Sequence, residues 1–121
     1  MFSLTGEVPA KKNSRIVLKS GKNIPSENYR KWHGYALASL FCQTVKQKLK
    51  EPLDCPLSVC IKFTHGDKKR RDCDNALSSI LDTLTDAGII KDDNWQIVQN
   101  IILENDYKEK ESGVKITIVE L

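Results

Sequence analysis

The sequence predicts a small α/β domain with two helices packed on one face of a mixed four-stranded sheet, in the order βαβαββ. Three observations predict it. Apolar residues recur at period two around Leu57–Phe63 and Val114–Ile118. Two other segments carry apolar residues at near-helical spacing, each preceded by a capping residue. Pro25, Pro52 and Gly88 punctuate the joins between these segments.

The elements follow in order. Phe2 to Val8 partly alternates apolar and polar residues and reads as a first strand. Residues 9–25 are rich in Lys, Ser, Asn and Gly and read as a loop, with a short extended piece at Ile16-Val17-Leu18. Ser26 is a good N-cap for a first helix, which runs through Tyr29, Trp32, Leu37, Leu40, Phe41, Val45 and Leu49 and ends before Pro52. At 1.5 Å per residue that helix spans about 35 Å. Leu57, Val59, Ile61 and Phe63 share one face of a second strand. Asp74 can cap a second helix with Leu77, Ile80, Leu81 and Leu84 on its apolar side and Gly88 as its stop. Trp95 to Leu103 reads as a third strand, partly covered on both faces, with Trp95 in the core. Val114, Ile116 and Ile118 mark the fourth.

The 121 residues suit one domain, 1–121. Hydrophobic residues at 40% can fill a core, and charged residues at 29% can cover it. The net charge of +3 is too small to imply a polyanionic partner by itself. Its distribution says more. Lys11, Lys12, Arg15, Lys19 and Lys22 crowd the N-terminal region against Glu7 alone, and Lys68-Lys69-Arg70-Arg71 forms a second cluster. Such local surfaces steer polyanions. Cys42, Cys55, Cys60 and Cys73 form no C-x-x-C pair, which argues against zinc. With no apolar leader visible and no span long enough for a membrane, reduced thiols in a cytoplasmic protein are expected.

The run Arg70-Arg71-Asp72-Cys73-Asp74-Asn75, answered by Asp92-Asp93, carries the chemistry. Two like charges about 6 Å apart repel by roughly 3 kcal/mol at an effective dielectric near 20. A divalent cation offsets that cost, and hard carboxylate oxygens suit Mg²⁺ or Mn²⁺. Acids that hold such an ion beside a row of cations point to phosphodiester chemistry. If the chain is extended at Asp72 and Asp74, both carboxylates point one way and Cys73 points into the core. Asp74 as a plain N-cap and Asp72 as a plain partner of Arg70 or Arg71 fit the same residues. If the third strand lies beside the second, Asp92 or Asp93 can approach the Asp72/Asp74 end. His65 is expected as a solvated strand-end residue or a phosphate ligand, and His33 as packed or solvated. Asp82 is expected in a surface pair and Asp86 in solvent.

The segment RRDCDNALSSILDTLTDAGIIKDD resembles the RusA-type Holliday junction resolvases, which show R-D-x-D-N, an amphipathic helix ending A-G, and then a D-D pair. G-x-x-P-x-K-K-N-S at Gly6–Ser14 and S-x-x-Y-x-x-W at Ser26–Trp32 fit in the same order. The resemblance implies a homodimer that binds four-way DNA junctions and resolves them by paired, Mg²⁺-dependent nicks in recombination and repair. It needs neither a membrane nor a small-molecule cofactor, and it leans toward a prophage setting. The catalytic acids carry over onto Asp72, Asp74 and Asp93, with Asp92 beside them. Lys11, Lys12, Asn13, Arg15, Lys68, Lys69, Arg70, Arg71 and Lys91 are the expected DNA contacts. One departure stands out. Many members carry a lysine one turn after the second Asp of D-x-D, where this chain has Ser78. That change admits an alternative: a junction-binding protein with little or no nuclease activity.

Overall fold

The computed structural model describes residues 1–10, 15–17, 20–21 and 23–121, with backbone alone at 15–17 and 23–25. The chain forms β1 (Phe2–Thr5), β2 (Arg15–Val17), β3 (Asn23–Pro25), α1 (Glu27–Lys46), β4 (Leu57–His65), α2 (Cys73–Asp86), β5 (Val98–Tyr107) and β6 (Gly113–Glu120). Four strands make one sheet in the order β1-β6-β4-β5, so the expected βαβαββ architecture holds. An added hairpin pairs β2 with β3, Ile16 opposite Ile24, inside the segment read as a loop. Leu18 lies outside the described residues.

The sheet is mixed because of its connections. The α2 crossover returns the chain to its starting edge, so β5 runs parallel to β4, with Val59 beside Ile101 and His65 beside Tyr107. The short turn after Tyr107 reverses the chain, so β6 runs antiparallel to β4, with Ile61 opposite Ile116. Period-two burial follows. Leu57, Val59, Ile61 and Phe63 turn inward with Phe2, Leu4, Val114 and Ile116, and meet Ala36 and Leu40 of α1 and Ile80 and Leu84 of α2.

Three elements depart from the sequence reading. In α1 the Ser26 cap holds, with its Oγ accepting from the Tyr29 N–H at 3.2 Å. The helix ends at Lys46, however, about 30 Å from its start, because Lys48 takes the left-handed conformation at φ 59°. Its buried stripe is Tyr29, Ala36, Leu40 and Thr44, whereas Phe41 and Val45 are 67% and 62% exposed. Thr44 replaces Val45 there by donating its hydroxyl to the Phe41 carbonyl. In α2 the N-cap is Asp72 rather than Asp74. The chain is already helical at Cys73, so that side chain is exposed instead of entering the core. Gly88, at φ +72°, ends the helix as expected.

The third departure is β5, which begins at Val98 and lies at the sheet edge. Asn94 curls the preceding residues into a turn by accepting from the N–H groups of Gln96, Ile97 and Val98. That turn throws Trp95 outward to 74% exposure. Ile101 and Ile102 are also exposed, so this strand is uncovered rather than enclosed on both faces. No helix among the described residues is long and apolar enough to cross a membrane.

Candidate active site

Beyond His65, residues 66–72 loop from the end of β4 to the start of α2. Gly66 must be a glycine there, since a Cβ would fall 2.8 Å from Ser112 Oγ and 3.0 Å from the Glu111 carbonyl. Arg71 then clasps the loop. Its guanidinium donates to Asp67 at 2.8 and 3.1 Å, while Nε faces Glu7 Oε2 at 3.2 Å. Glu7 is the hub: it also meets His65 Nδ1 at 3.2 Å and accepts from Ser112 Oγ at 3.1 Å. The guanidinium and the Lys69 N–H hold the Asp67 carboxyl down to about 2.

The clasp delivers Asp72 to the head of α2. Asp72 has N-cap backbone angles, φ −89° and ψ 125°, but its side chain makes no capping bond. The carboxylate therefore remains exposed and faces Arg70 Nε at 3.9 Å. Asp74 follows in the first helical turn, also exposed, where the helix dipole favours its charge. Asp72 borders a cavity of about 520 Å³ together with Glu7, Pro9, His65, Arg70 and Asn75. Ser79 on α2 donates to the carbonyl of Pro9, one of the cavity's lining residues, at 2.7 Å.

The second acidic pair is elsewhere. Parallel pairing puts the residues before β5 at the Leu57 end of β4, whereas Asp72 and Asp74 follow its His65 end. A nine-residue strand separates those ends by roughly 26 Å. However, α2 runs back between them, so Asp93 stands near Asp82, about 12 Å along the helix from Asp74. Adjacency of the two strands thus does not bring Asp92 or Asp93 to Asp72, because the strands run the same way. Asp92 accepts from the Asp93 N–H at 2.7 Å and from Asn94 at 3.1 Å, which lowers its carboxyl. Burial, Asp92 and the nearby Asp82 push Asp93 upward. Asp82 lies two turns beyond Asp74 on α2. Among the described residues no three His, Cys, Asp or Glu side chains gather as a metal-holding group. The donor chemistry still fits a hard cation. Mg²⁺ typically takes one or two carboxylates and completes its shell with water and substrate phosphates. Asp72 and Asp74 offer that pair from one chain.

The other expected residues are placed unequally. Arg70 is exposed at the cavity, and Lys68 and Lys69 are exposed on the loop. Arg71 is turned inward by Glu7 and Asp67. Lys91 is exposed at the far end with Asp92. Lys11, Lys12 and Asn13 lie outside the described residues, and Arg15 is described by backbone only. His65 is not a solvated strand end. It stacks on Phe63, and its Nε2 lies 2.9 Å from Asn105 Oδ1. Asp86 is exposed, as expected, and also meets His33 Nε2 at 2.9 Å. Glu7 and Asn105 escape a reading of local spacing because their partners are about 40 to 60 residues away. Asn105 Nδ2 also reaches Cys73 Sγ at 3.5 Å, tying β5 to the head of α2.

A mixed sheet that carries an exposed acid pair at a helix head, beside a row of cations, defines a protein built to meet phosphate groups. The comparison with known families is specific. The family model for Endodeoxyribonuclease RusA matches residues 6–119, and the chain belongs to that family of DNA-cutting enzymes. It is similar to the crossover junction endodeoxyribonuclease RusA of Aquifex aeolicus (strain VF5), with 30% identity over 90 residues, 73% of this chain and 68% of that protein.

Proposed function

We propose that residues 1–121 act as one domain that resolves four-way DNA junctions in the cytoplasm, by paired nicks that depend on a divalent metal, Mg²⁺ in the first place. The observation that supports it most is the uncapped, exposed Asp72 carboxylate, held with Asp74 at the head of α2 beside Arg70. A residue that served only to cap the helix would have spent that carboxylate on the backbone.

Asp72, Asp74 and Asp93 are the residues that would hold the ion. When bound, a divalent ion supplies a more acidic water for attack and charge stabilisation at phosphorus. The chain's own residues do the rest. Arg70, Lys68 and Lys69 neutralise the scissile and flanking phosphates, with Lys11, Lys12, Asn13 and Arg15 assigned to the neighbouring arms. Arg71 positions the loop through Glu7 and Asp67. Salt weakens binding accordingly.

The topology bears on assembly. Within one chain Asp93 stands near Asp82, two turns of α2 beyond Asp74, and not against the acid pair itself. A homodimer can bring the Asp93 end of one chain to the Asp72 end of the other, and its two-fold axis matches the approximate symmetry of a junction. A second reading, a junction binder that does not cut, is favoured by Ser78, whose hydroxyl supplies no cation one turn after Asp74.

The test is cleavage of a synthetic four-way junction with Mg²⁺ by wild type and Asp74→Asn, with linear duplex as control. Symmetric nicks by wild type alone, on the junction alone, are expected. Tight binding without nicks would favour the second reading. Equal behaviour on junction and duplex would remove the junction as substrate.

A further inference from the structure

A second hollow, of about 350 Å³, lies on the other side of His65 from the first and is bordered by Asp67, Lys68, Lys69, Asn105 and Tyr107. Tyr107 is the last residue of β5 and is fixed there by its backbone. It stands in register with His65, and the next N–H, of Lys108, donates to the His65 carbonyl at 2.9 Å. Its ring is nevertheless 45% exposed, at a position where the core gains nothing from it. Lys68 Nζ lies 5.0 Å from the ring centroid. Asn105, two residues back on the same face of the strand, touches both His65 and Cys73 at the head of α2. The aromatic platform therefore stands at the His65 end of the sheet, where Asn105 of the same strand meets Cys73 between the two acids.

Resting on the reading of this site as a junction nuclease, we propose that Tyr107 is a base-stacking residue that takes an unpaired or unstacked base at the branch point. Lys68 holds the ring face in the free protein. The ammonium passes to a DNA phosphate on binding, and the vacated face receives the base. The chemistry favours this occupant. A rigid, half-exposed aromatic with adjacent cations is how proteins hold single-stranded nucleotides, because every base has a π-face and every nucleotide a phosphate. Of the two acids at the hollow, Asp67 is paired with Arg71 and Asp106 accepts the Tyr107 N–H at 2.8 Å, while Lys68 and Lys69 supply two cations beside the ring. An intact duplex arm offers no free base face, so this contact distinguishes branch points from linear DNA. It supplies a source of junction preference that phosphate contacts lack.

The experiment measures binding to a four-way junction, to linear duplex and to a single-stranded oligonucleotide without divalent metal, so that no cutting intervenes. Wild type, Tyr107→Ala and Tyr107→Phe are compared, with thermal melting to check folding. Tyr107→Ala should lose junction and single-strand affinity by about tenfold or more, with duplex affinity unchanged, and Tyr107→Phe should restore both. Equal losses on all three DNAs, or no loss on any, overturn the stacking role while leaving the nuclease reading intact. Failure of Tyr107→Phe to restore binding overturns it as well, since the hydroxyl would then be the contact. If wild type itself has no preference for the junction over duplex, the junction reading fails, and this inference fails with it.

Discussion

Arg71 reaches back four residues to Asp67 and donates two nitrogens to its carboxylate, at 2.8 and 3.1 Å. The pair closes the loop that carries Lys68, Lys69 and Arg70 and ends at Asp72. Only a planar fork makes both bonds while Nε faces Glu7. Arg71→Lys keeps the charge and loses the fork. It should cut junction cleavage by about tenfold to a hundredfold through misplacement of Asp72, while duplex binding changes little. Single-turnover rates set beside binding isotherms test this. Equal losses in both would make Arg71 a direct phosphate contact instead.

The same clasp has a pH signature. Asp67 is held at about 2 in the fold, below its ordinary value of 3.8. A depressed carboxyl contributes stability above its unfolded value and loses it as pH falls through the folded one. The clasp should therefore persist on acidification through pH 4 and weaken only toward pH 2. Carboxyl chemical shifts of Asp67 against pH would track it. In Arg71→Ala the midpoint should return toward 3.8, and an unmoved midpoint would remove Arg71 as the cause.

Asp93 has the opposite sign. Burial, Asp92 and Asp82 raise its carboxyl, so the fold disfavours its charge. Its cost is absent in acid, where the group is protonated, and grows as pH rises through the folded value. Asp93→Asn should thus raise the melting temperature of the metal-free protein at pH 7 by about 1–3 °C, the small size reflecting an exposed side chain. The gain should vanish below pH 3.8. Added Mg²⁺ should stabilise wild type at pH 7 and leave Asp93→Asn unmoved. A variant that melts lower than wild type at pH 7 would contradict the assignment.

Asp93 lies near Asp82, two turns of α2 beyond Asp74, rather than against the acid pair itself, and whether a second chain completes the site is testable without a structure of the dimer. Asp74→Asn and Asp93→Asn should each be inactive alone. In a co-refolded mixture, a shared site would pair the intact Asp72/Asp74 of one chain with the intact Asp93 of the other. Half of the sites in such a heterodimer are whole, so activity should return as single nicks rather than paired ones. A mixture as dead as its components would place all three acids in one chain.

The residues that fix the sheet were legible because they obey local rules. Period-two burial at Leu57–Phe63 and Val114–Ile118, the Ser26 cap and the Gly88 stop each depend on neighbours a few positions away. The acid motif was legible for the same reason, through its match to a known pattern. What stayed hidden depends on direction and distance. Spacing cannot say that β5 runs parallel to β4 and so starts at the Leu57 end, nor that the Asn94 turn throws Trp95 outward. Nor can it show Glu7 gathering His65, Arg71 and Ser112, or Asn105 bridging His65 to Cys73. These contacts join segments that meet only once the sheet has formed.

Ser78 supplies the last prediction. It is half-buried on α2, one turn past Asp74, at the position where the resemblance to the RusA-type resolvases leads one to expect a lysine. A lysine stem can lie along the helix and lift its ammonium to the acid pair at the helix head. Lysine is also a better helix former than serine, so Ser78→Lys should cost no stability. If phosphate neutralisation limits the wild-type rate, Ser78→Lys should raise cleavage by about tenfold or more with junction affinity nearly constant, because charge aimed at the reacting phosphate acts mainly in the transition state. Tighter binding without faster cleavage would mean that the cation meets only the ground state. No change in either would show that Arg70 and the neighbouring lysines already do what the absent lysine does elsewhere.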